Sequence, residues 1–204
     1  MEAIYKGFSD RVRSHLIKVN FYNEKPAFKD AKRLRNVRFC EATKEAILHP
    51  VLLDKESIIC PGALHAFGWA SNSKVSDQLL ACCYDKRNIQ EDLLKSMLSD
   101  APHFTKPFKY IGLNTDTQPD IIISYLMPEE VMSLIKIYHD NQGKSLEVSL
   151  CSTMSVCGGI AVRTYLDEKI SFSFGCSDSR KYAEIGRDRL AVGIPKRLFS
   201  TFVT

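Results

Sequence analysis

The 204-residue chain has no long apolar run. A membrane-spanning helix needs about 20 consecutive, mostly apolar residues, and no segment of the sequence approaches that length. The N-terminal segment, residues 1–6, is polar and amphipathic, unlike the apolar core of a secretory signal peptide. These absences argue against a membrane protein, and the expected location is the cytoplasm.

The sequence also lacks a strong charge of either sign. It contains 28 Lys and Arg against 24 Asp and Glu, which gives a mild formal charge of +4. Nucleic-acid-binding domains usually carry a concentrated basic patch, so we expect no nucleic-acid partner. The most basic stretch, residues 25–38, has two interpretations: a solvated loop, or the anion-facing rim of a binding surface.

Cysteine pairs separated by two to four residues, which are typical of structural zinc sites, are absent from the sequence. An odd number of cysteines without a secretion signal also argues against a disulfide framework. Buried apolar thiols, a metal site and a nucleophile are the remaining interpretations. We interpret the adjacent Cys82 and Cys83 as packing residues on a helix. The seven cysteines are Cys40, Cys60, Cys82, Cys83, Cys151, Cys157 and Cys176.

The order of periodic segments predicts an α/β fold, because strand-like and helix-like patterns alternate along the chain. The β-branched run at residues 119–125 is the best candidate for a central buried strand. Other predicted strands cover residues 18–22, 51–53, 57–59, 108–113, 146–150, 170–174 and 190–195. Predicted helices cover residues 2–19, 39–48, 62–69, 71–99, 128–143, 160–165 and 196–204, and a further one opens at Cys176. Residues 155–159 are predicted to form a turn.

Two regions of the chain resemble each other. Cys40 and Cys60 are 20 residues apart, Cys157 and Cys176 are 19 apart, and in each region a strand leads into the second cysteine. Repeated units of this kind usually pack against each other. We therefore predict one domain, residues 1–204, of two pseudo-repeated halves (about 1–100 and 101–204). Mixed sheets and helices would pack around a shared cysteine-lined centre.

Cysteines at the starts of helices favour metal or cluster chemistry. Unpaired main-chain N–H groups at such positions stabilise thiolate, which is the form that binds metal. Single cysteines on separate turns suit an iron–sulfur cluster better than a zinc finger. We predict a [4Fe–4S] cluster bound by Cys40, Cys60, Cys157 and Cys176. Neighbouring glycines that would allow close approach to the cofactor are Gly62, Gly158 and Gly175.

Basic residues follow the last of these cysteines. Arg180 and Lys181 lie about one helical turn after Cys176 and are predicted to bind a small anionic molecule. Arg163 and Glu41 are further candidates for that substrate site. The expected partner is therefore a small anionic molecule or a redox partner.

Two other classes of function remain open at this point. The first is a metal-free enzyme in which Cys60 or Cys176 is the nucleophile, with His65 as a candidate base. The second is a non-catalytic module that binds a ligand or partner through residues 25–38.

Six short motifs together resemble one known family. They are Arg38–Ala42, Cys60–Ala63, Val156–Gly159, Val162–Tyr165, Gly175–Ala183 and Leu190–Pro195. In combination they resemble the prokaryotic domain-of-unknown-function family 169, over most of the chain. The resemblance implies a soluble bacterial or archaeal protein in which the four cysteine positions recur as motif residues. It implies no activity.

Overall fold

The computed structural model describes residues 16–28, 30–70, 77–78, 81, 90–115 and 117–202. Within these residues the chain forms a mixed α/β fold around one seven-stranded sheet with the order β2-β3-β4-β1-β5-β7-β6. The β2–β3 pair is parallel and the other neighbouring pairs are antiparallel. The strands are β1 (Ile17–Tyr22), β2 (Lys32–Arg33), β3 (Val51–Leu53), β4 (Tyr110–Leu113), β5 (Ile121–Leu126), β6 (Ser171–Ser173) and β7 (Leu190–Pro195).

The centre of the sheet is the antiparallel pair of β1 and β5, in which Val19 lies opposite Ile121. All six residues of β5 are buried. Successive side chains of a strand point to opposite faces. Accordingly, Ile121 and Ile123 belong to one core and Ile122 to the other. The prediction of a central buried strand at this position is confirmed.

Seven helices lie around the sheet in the described part of the chain. Helices α1, α2, α3 and the π-helix contribute to the core on one face, and α4 contributes to the core on the other. Two short 3₁₀ segments, Lys55–Ser57 and Lys196–Phe202, complete the elements. The helices are α1 (Phe39–Glu45), α2 (Pro61–Ala66), α3 (Glu91–Asp100), α4 (Pro128–Gln142), a π-helix (Ser155–Val162), α5 (Arg163–Asp167) and α6 (Ser177–Tyr182).

Helix α4 shows how closely local sequence determines some of these elements. Pro128 occupies its first position, where a missing N–H costs nothing. The Glu130 carboxylate accepts the N–H of Met127 at 2.7 Å. Gly143 ends the helix with a φ of 64°, a conformation that glycine adopts without strain. The predicted helix at residues 128–143 is confirmed.

Four predicted elements need correction. Residues 146–150 form no strand: Val148 and Leu150 are 46% and 56% exposed, and no neighbouring strand pairs with the segment. An alternating pattern stabilises a strand only where one face is buried. Residues 155–159, predicted as a turn, belong to the π-helix. The strand predicted at residues 57–59 is also replaced: residues 55–57 form a 3₁₀ turn, and Ile58 makes a single parallel bridge with Val37.

The predicted N-terminal helix lies mostly outside the described residues, and its last part, Ile17 to Val19, belongs to β1 instead. Most of the predicted helix at residues 71–99 also lies outside them, whereas its end is confirmed as α3. None of the helices described combines the length and apolar character that crossing a membrane would require.

Candidate cysteine site

The four predicted ligand cysteines lie on or beside helices that pack on the same face of the sheet. Cys60 and Cys176 are the N-caps of α2 and α6 and are half-buried. Cys40 is the second residue of α1 and is buried. Cys157 is also buried, but it is the third residue of the π-helix and does not lie in the predicted turn. Cys82 and Cys83 lie outside the described residues.

The two N-cap cysteines differ in their main-chain contacts. The N–H of Ser179 donates to the Cys176 sulfur at 3.4 Å, whereas the Cys60 side chain makes no cap hydrogen bond. Burial raises the pKa of the Cys60 thiol, and the nearby main-chain N–H groups of Ala63 and Gly62 oppose that rise. Donors aimed at sulfur stabilise the thiolate form.

The other two cysteines combine deep burial with a similar donor. Burial raises the pKa of Cys40 to about 12 and raises that of Cys157 well above its ordinary value. The main-chain N–H of Glu41 lowers the pKa of Cys40, and that of Gly158 lowers the pKa of Cys157. Near Cys40, Cys60 and Cys157, main-chain N–H groups therefore lower the thiol pKa by less than burial raises it.

Charges on the neighbouring cysteines also raise the pKa values of Cys40 and Cys157. After burial, negative charge on Cys176 and Cys60 contributes most to the raised pKa of Cys40. The other three cysteines likewise raise the pKa of Cys157. The thiols are thus close enough to oppose each other's ionisation. Among the residues that the structure describes, however, no three His, Cys, Asp or Glu side chains form a group that could hold a metal ion.

Helix contacts bring elements from distant parts of the chain together here. Helix α1 contacts both α6 and the π-helix, and α2 also contacts the π-helix. A Cβ atom at Gly62 would lie 2.7 Å from Cγ of Met154, the residue that precedes the π-helix. Only glycine permits so close an approach of α2 to this segment.

An ion pair and an aromatic ring join α1 to α6. Arg38, the N-cap of α1, donates from Nε to the Asp178 carboxylate at 3.2 Å. Its guanidinium carbon lies 3.7 Å from the ring centroid of Tyr182, which is cation–π distance. Sequence reasoning missed this contact, because Arg38 counted only as part of a basic stretch and Asp178 lies 140 residues away.

A buried hydroxyl pair lies next to Cys40. The Thr43 hydroxyl donates to the Cys40 carbonyl at 2.7 Å and lies 2.7 Å from the Tyr125 hydroxyl. Because the Thr43 proton is used by the carbonyl, Tyr125 is the donor between the two hydroxyls. Burial raises the pKa of Tyr125, and charges on Cys40 and Cys176 raise it further. The ring of Tyr125 thus links the central strand to the cysteine-bearing face.

Arg180 makes contacts that the sequence did not predict. Its guanidinium donates to the main-chain carbonyls of Phe174 at 2.5 Å, Arg189 at 3.0 Å and Gly186. The side chain therefore closes the loop after α6, and its contact with an anion stays a prediction. Lys181 is exposed, and its Nζ lies 5.1 Å from the Tyr182 ring centroid.

The other predicted substrate and cofactor residues have local roles. The Glu41 carboxylate accepts the main-chain N–H of Arg38 at 3.3 Å and so caps α1. Arg163 lines a cavity of about 260 Å³ with Asp167 and Lys169, and its Nε is buried without a hydrogen-bond partner. Gly175 has a φ of 83° in the turn before Cys176, which explains glycine at this position.

His65 does not contact Cys60 as a base would. Its ring packs against His103 with centroids 5.1 Å apart, and its Nε2 has no partner. Burial lowers the pKa of His65, His103 lowers it further, and a hydrogen bond to the Leu98 main chain opposes both effects.

The basic stretch at residues 25–38 is partly neutralised. Lys32 contacts Glu45 at 2.5 Å, Arg35 lies 3.9 Å from Asp54, and Arg38 pairs with Asp178. Lys29 lies outside the described residues. The stretch is therefore a weaker anion-binding rim than its composition suggested.

The described residues form a mixed α/β fold with a seven-stranded sheet and several helices. The chain belongs to the domain-of-unknown-function family 169, described as "Uncharacterised ArCR", whose profile matches residues 11–204. The resemblance seen in the sequence motifs is thereby confirmed. No curated protein and no solved structure matches the chain.

Proposed function

We propose that this protein binds a [4Fe–4S] cluster through Cys40, Cys60, Cys157 and Cys176. The observation that carries the proposal is that α1, which bears Cys40, contacts α6 and the π-helix, and that α2, which begins after Cys60, also contacts the π-helix. Thiolates are the usual ligands of iron–sulfur clusters, and N–H···S hydrogen bonds help to set their reduction potentials. The mutual effect of the four cysteines on their pKa values supports the same assignment.

The order of the strands supports two pseudo-repeated halves. In the first half, α1 with Cys40 lies between β1 and β3 in sequence, and Cys60 lies between β3 and β4. In the second, the π-helix with Cys157 lies between β5 and β6, and Cys176 lies between β6 and β7. The order β3-β4-β1 is mirrored by β5-β7-β6 across the β1–β5 pair.

We therefore propose a pseudo-two-fold axis between β1 and β5, with the boundary between β4 and β5 and not near residue 100. Such an axis relates Cys40 to Cys157 and Cys60 to Cys176. The contacts of α1 with α6 and the π-helix, and of α2 with the π-helix, support a shared centre for the four cysteines.

We propose a cluster and not one zinc ion, because no three described His, Cys, Asp or Glu side chains form a group that could hold a single metal ion. Sulfurs around a single tetrahedral zinc lie roughly 3.8 Å apart, given a Zn–S distance of about 2.3 Å. In a [4Fe–4S] cluster each cysteine binds a different iron, so its sulfurs are more widely separated. When bound, the cluster would supply one-electron redox chemistry. The protein would hold the four cysteine ligands, keep water from Cys40 and Cys157, and donate the Ser179 N–H to the Cys176 sulfur.

The side of the site with Cys60 and Cys176 is the one open to a partner. Both cysteines are half-buried, and the adjacent Ile59 and Phe174 are 46% and 60% exposed. We propose that a redox partner or a small anionic molecule approaches here, near the exposed Lys181. The cluster would then exchange electrons with this partner or respond to the anion.

Anaerobic purification followed by iron and sulfide analysis tests the cluster. We expect a brown protein with about four iron atoms and four acid-labile sulfides per chain. A colourless protein that takes up neither iron nor sulfide on anaerobic reconstitution would contradict the proposal. Rapid alkylation of one thiol in that colourless protein would instead favour the metal-free cysteine enzyme.

A further inference from the structure

A cavity of about 260 Å³ lies at the β6 edge of the sheet. Residues 147–149 line one side of it, and residues 169–171, which lead into β6, line the other. The segment between α4 and the π-helix crosses this edge, because Leu146 packs against the core on the α4 face and Cys151 packs against the core on the opposite face. Among the described residues this segment pairs with no strand, and the cavity lies between it and β6.

Arg163 and Asp167 bring opposite charges to this cavity from α5. They are four residues apart, so their side chains leave the same face of the helix, with Cβ atoms roughly 5–6 Å apart. Neither side chain forms an ion pair with any residue that the structure describes. The Nε atom of Arg163 is buried and has no hydrogen-bond partner. Because a buried charged donor without an acceptor is unfavourable, Arg163 is expected to take an acceptor from whatever fills the cavity.

A second pair of opposite charges lines the same cavity. Glu147 lies on the crossing segment, Lys169 lies two residues before β6, and both are exposed. With two basic and two acidic side chains, the lining has no net formal charge. A simple anion would be attracted by Arg163 and Lys169 but repelled by the acidic side chains. A ligand that carries charges of both signs is attracted by both kinds of side chain.

The size and the remaining lining of the cavity favour one small molecule with an apolar part. At about 30 Å³ per water molecule, a volume of 260 Å³ holds roughly nine of them. A single amino acid such as leucine has a similar number of non-hydrogen atoms. Val148 and Ile170 supply apolar side chains to the lining.

We infer that this cavity is a binding site for a single aliphatic α-amino acid, whose carboxylate binds Arg163 and whose ammonium group binds Asp167. A guanidinium binds a carboxylate through two parallel N–H donors. Both charged groups of an α-amino acid are bonded to one carbon, so two side chains on one helix face can bind them together. The site is separate from the proposed cluster, because none of its four cysteines lines the cavity.

Isothermal titration calorimetry of the whole, anaerobically purified chain tests this site, with L-alanine, L-valine and L-leucine as probes. We expect at least one of them to bind with a dissociation constant of about 1 mM or below. Isocaproate lacks the ammonium group of leucine, and isoamylamine lacks its carboxylate. Each is expected to bind at least about tenfold more weakly than leucine, because one charged hydrogen-bonding group is lost.

Variants at the two ends of the sheet connect binding to the cavity. Arg163→Gln and Asp167→Asn are each expected to weaken amino-acid binding at least about tenfold. Arg33→Gln is the matched control, because Arg33 is exposed on β2, at the opposite end of the sheet. It is expected to bind as the wild type does. If Arg163→Gln does not fold, Asp167→Asn, whose side chain is exposed, decides the question.

Three results would overturn the inference. The first is the absence of binding by all three amino acids at millimolar concentration. The second is binding of inorganic phosphate or isocaproate as tightly as leucine, which would show that the acidic side chains play no part. The third is wild-type affinity in folded Arg163→Gln or Asp167→Asn. None of these results depends on iron or sulfide content, so the proposed cluster stands or fails separately.

Discussion

At the scale of single residues, two opposing effects act on the thiols of Cys40, Cys60 and Cys157. Burial disfavours the thiolate, whereas a main-chain N–H donor favours it. For Cys40 burial dominates, and its pKa rises from 9.0 to about 12. A bound metal centre would reverse this balance, because a coordinated thiol loses its proton.

This balance predicts the pH dependence of the cluster-free protein. A raised thiol pKa in the folded state gives stability that is complete below the unfolded pKa, near 9. It is lost as pH rises towards the folded value, about 12 for Cys40. We expect the free energy of unfolding to fall by up to about 1.4 kcal/mol per pH unit for each such thiol. Urea unfolding of anaerobic samples at pH values between about 8 and 11, the range in which these thiols titrate, measures this fall in the free energy of unfolding.

Cys40→Ala is the control for that experiment, because other groups also titrate at high pH. The free energy of unfolding of this variant is expected to fall less steeply with pH than that of the wild type. The difference between the two slopes is the contribution of one thiol. Parallel curves for the two proteins would show that Cys40 ionises normally in the folded state.

The hydroxyl pair beside Cys40 gives a second prediction at this scale. Thr43→Val leaves the buried Tyr125 hydroxyl without its acceptor, which should cost about 1–3 kcal/mol. Adding Tyr125→Phe removes the unpaired hydroxyl, so the double variant is expected to be less destabilised than the sum of the single changes. Chemical denaturation of all four proteins measures the coupling, and strictly additive values would argue against it.

At the scale of elements, the sequence predicted those whose signals are local. Helix α4 carries its own start and stop residues, and β5 begins with three consecutive isoleucines. The cysteine turns before α2 and α6 were also recognisable, because each has its glycine or proline in the expected place. Residues 146–150 have a good strand pattern, but they have no partner strand. A short-range pattern cannot show that a partner is missing.

The sequence predicted the candidate site to a similar extent. The strand before Cys176 could be read from the pattern, whereas the strand predicted before Cys60 is a 3₁₀ turn followed by a single bridge. The π-helix around Cys157 could not be read from the pattern, since its start at Met154 needs a left-handed residue that carries no sequence signal. The Arg38–Asp178 pair and the main-chain contacts of Arg180 depend on tertiary structure. Spacing along the chain gives no information about them.

The contact of α2 with the segment before the π-helix yields an element-scale prediction. Gly62→Ala would place a methyl group 2.7 Å from Cγ of Met154, which must move. Met154 side-chain shifts would disturb the relative positions of Cys60 and Cys157, so iron content per chain should fall. Gly143→Ala is the matched control. An alanine at this φ of 64° should cost about 1 kcal/mol of stability. Its added Cβ would have no neighbour within 4 Å, so we expect no effect on iron content.

Gly62→Ala combined with Met154→Ala separates crowding from other effects. The double variant removes the clashing Cγ and is expected to recover part of the lost iron. Equal iron content in Gly62→Ala and the wild type would show that this close approach is not needed for the site.

At the scale of the whole molecule, one continuous sheet joins both proposed halves through the β1–β5 pair. The proposed ligands come from both sides of that pair, so a bound cluster would link the two halves. Ligands that bind only the folded state raise the melting temperature. We expect loaded protein to melt at a higher temperature than cluster-free protein, in one cooperative transition. Differential scanning calorimetry under anaerobic conditions tests this, and equal melting temperatures would contradict the link.

The most direct test of the central claim is the iron and sulfide content of single cysteine variants. Cys40→Ser, Cys60→Ser, Cys157→Ser and Cys176→Ser are compared with Cys151→Ser, whose cysteine is half-buried and contacts Thr153. We predict that each of the four variants loses much of its iron and sulfide, whereas Cys151→Ser keeps the wild-type content. Wild-type content in all four variants, or equal losses in Cys151→Ser, would contradict the claim that these four cysteines bind one cluster.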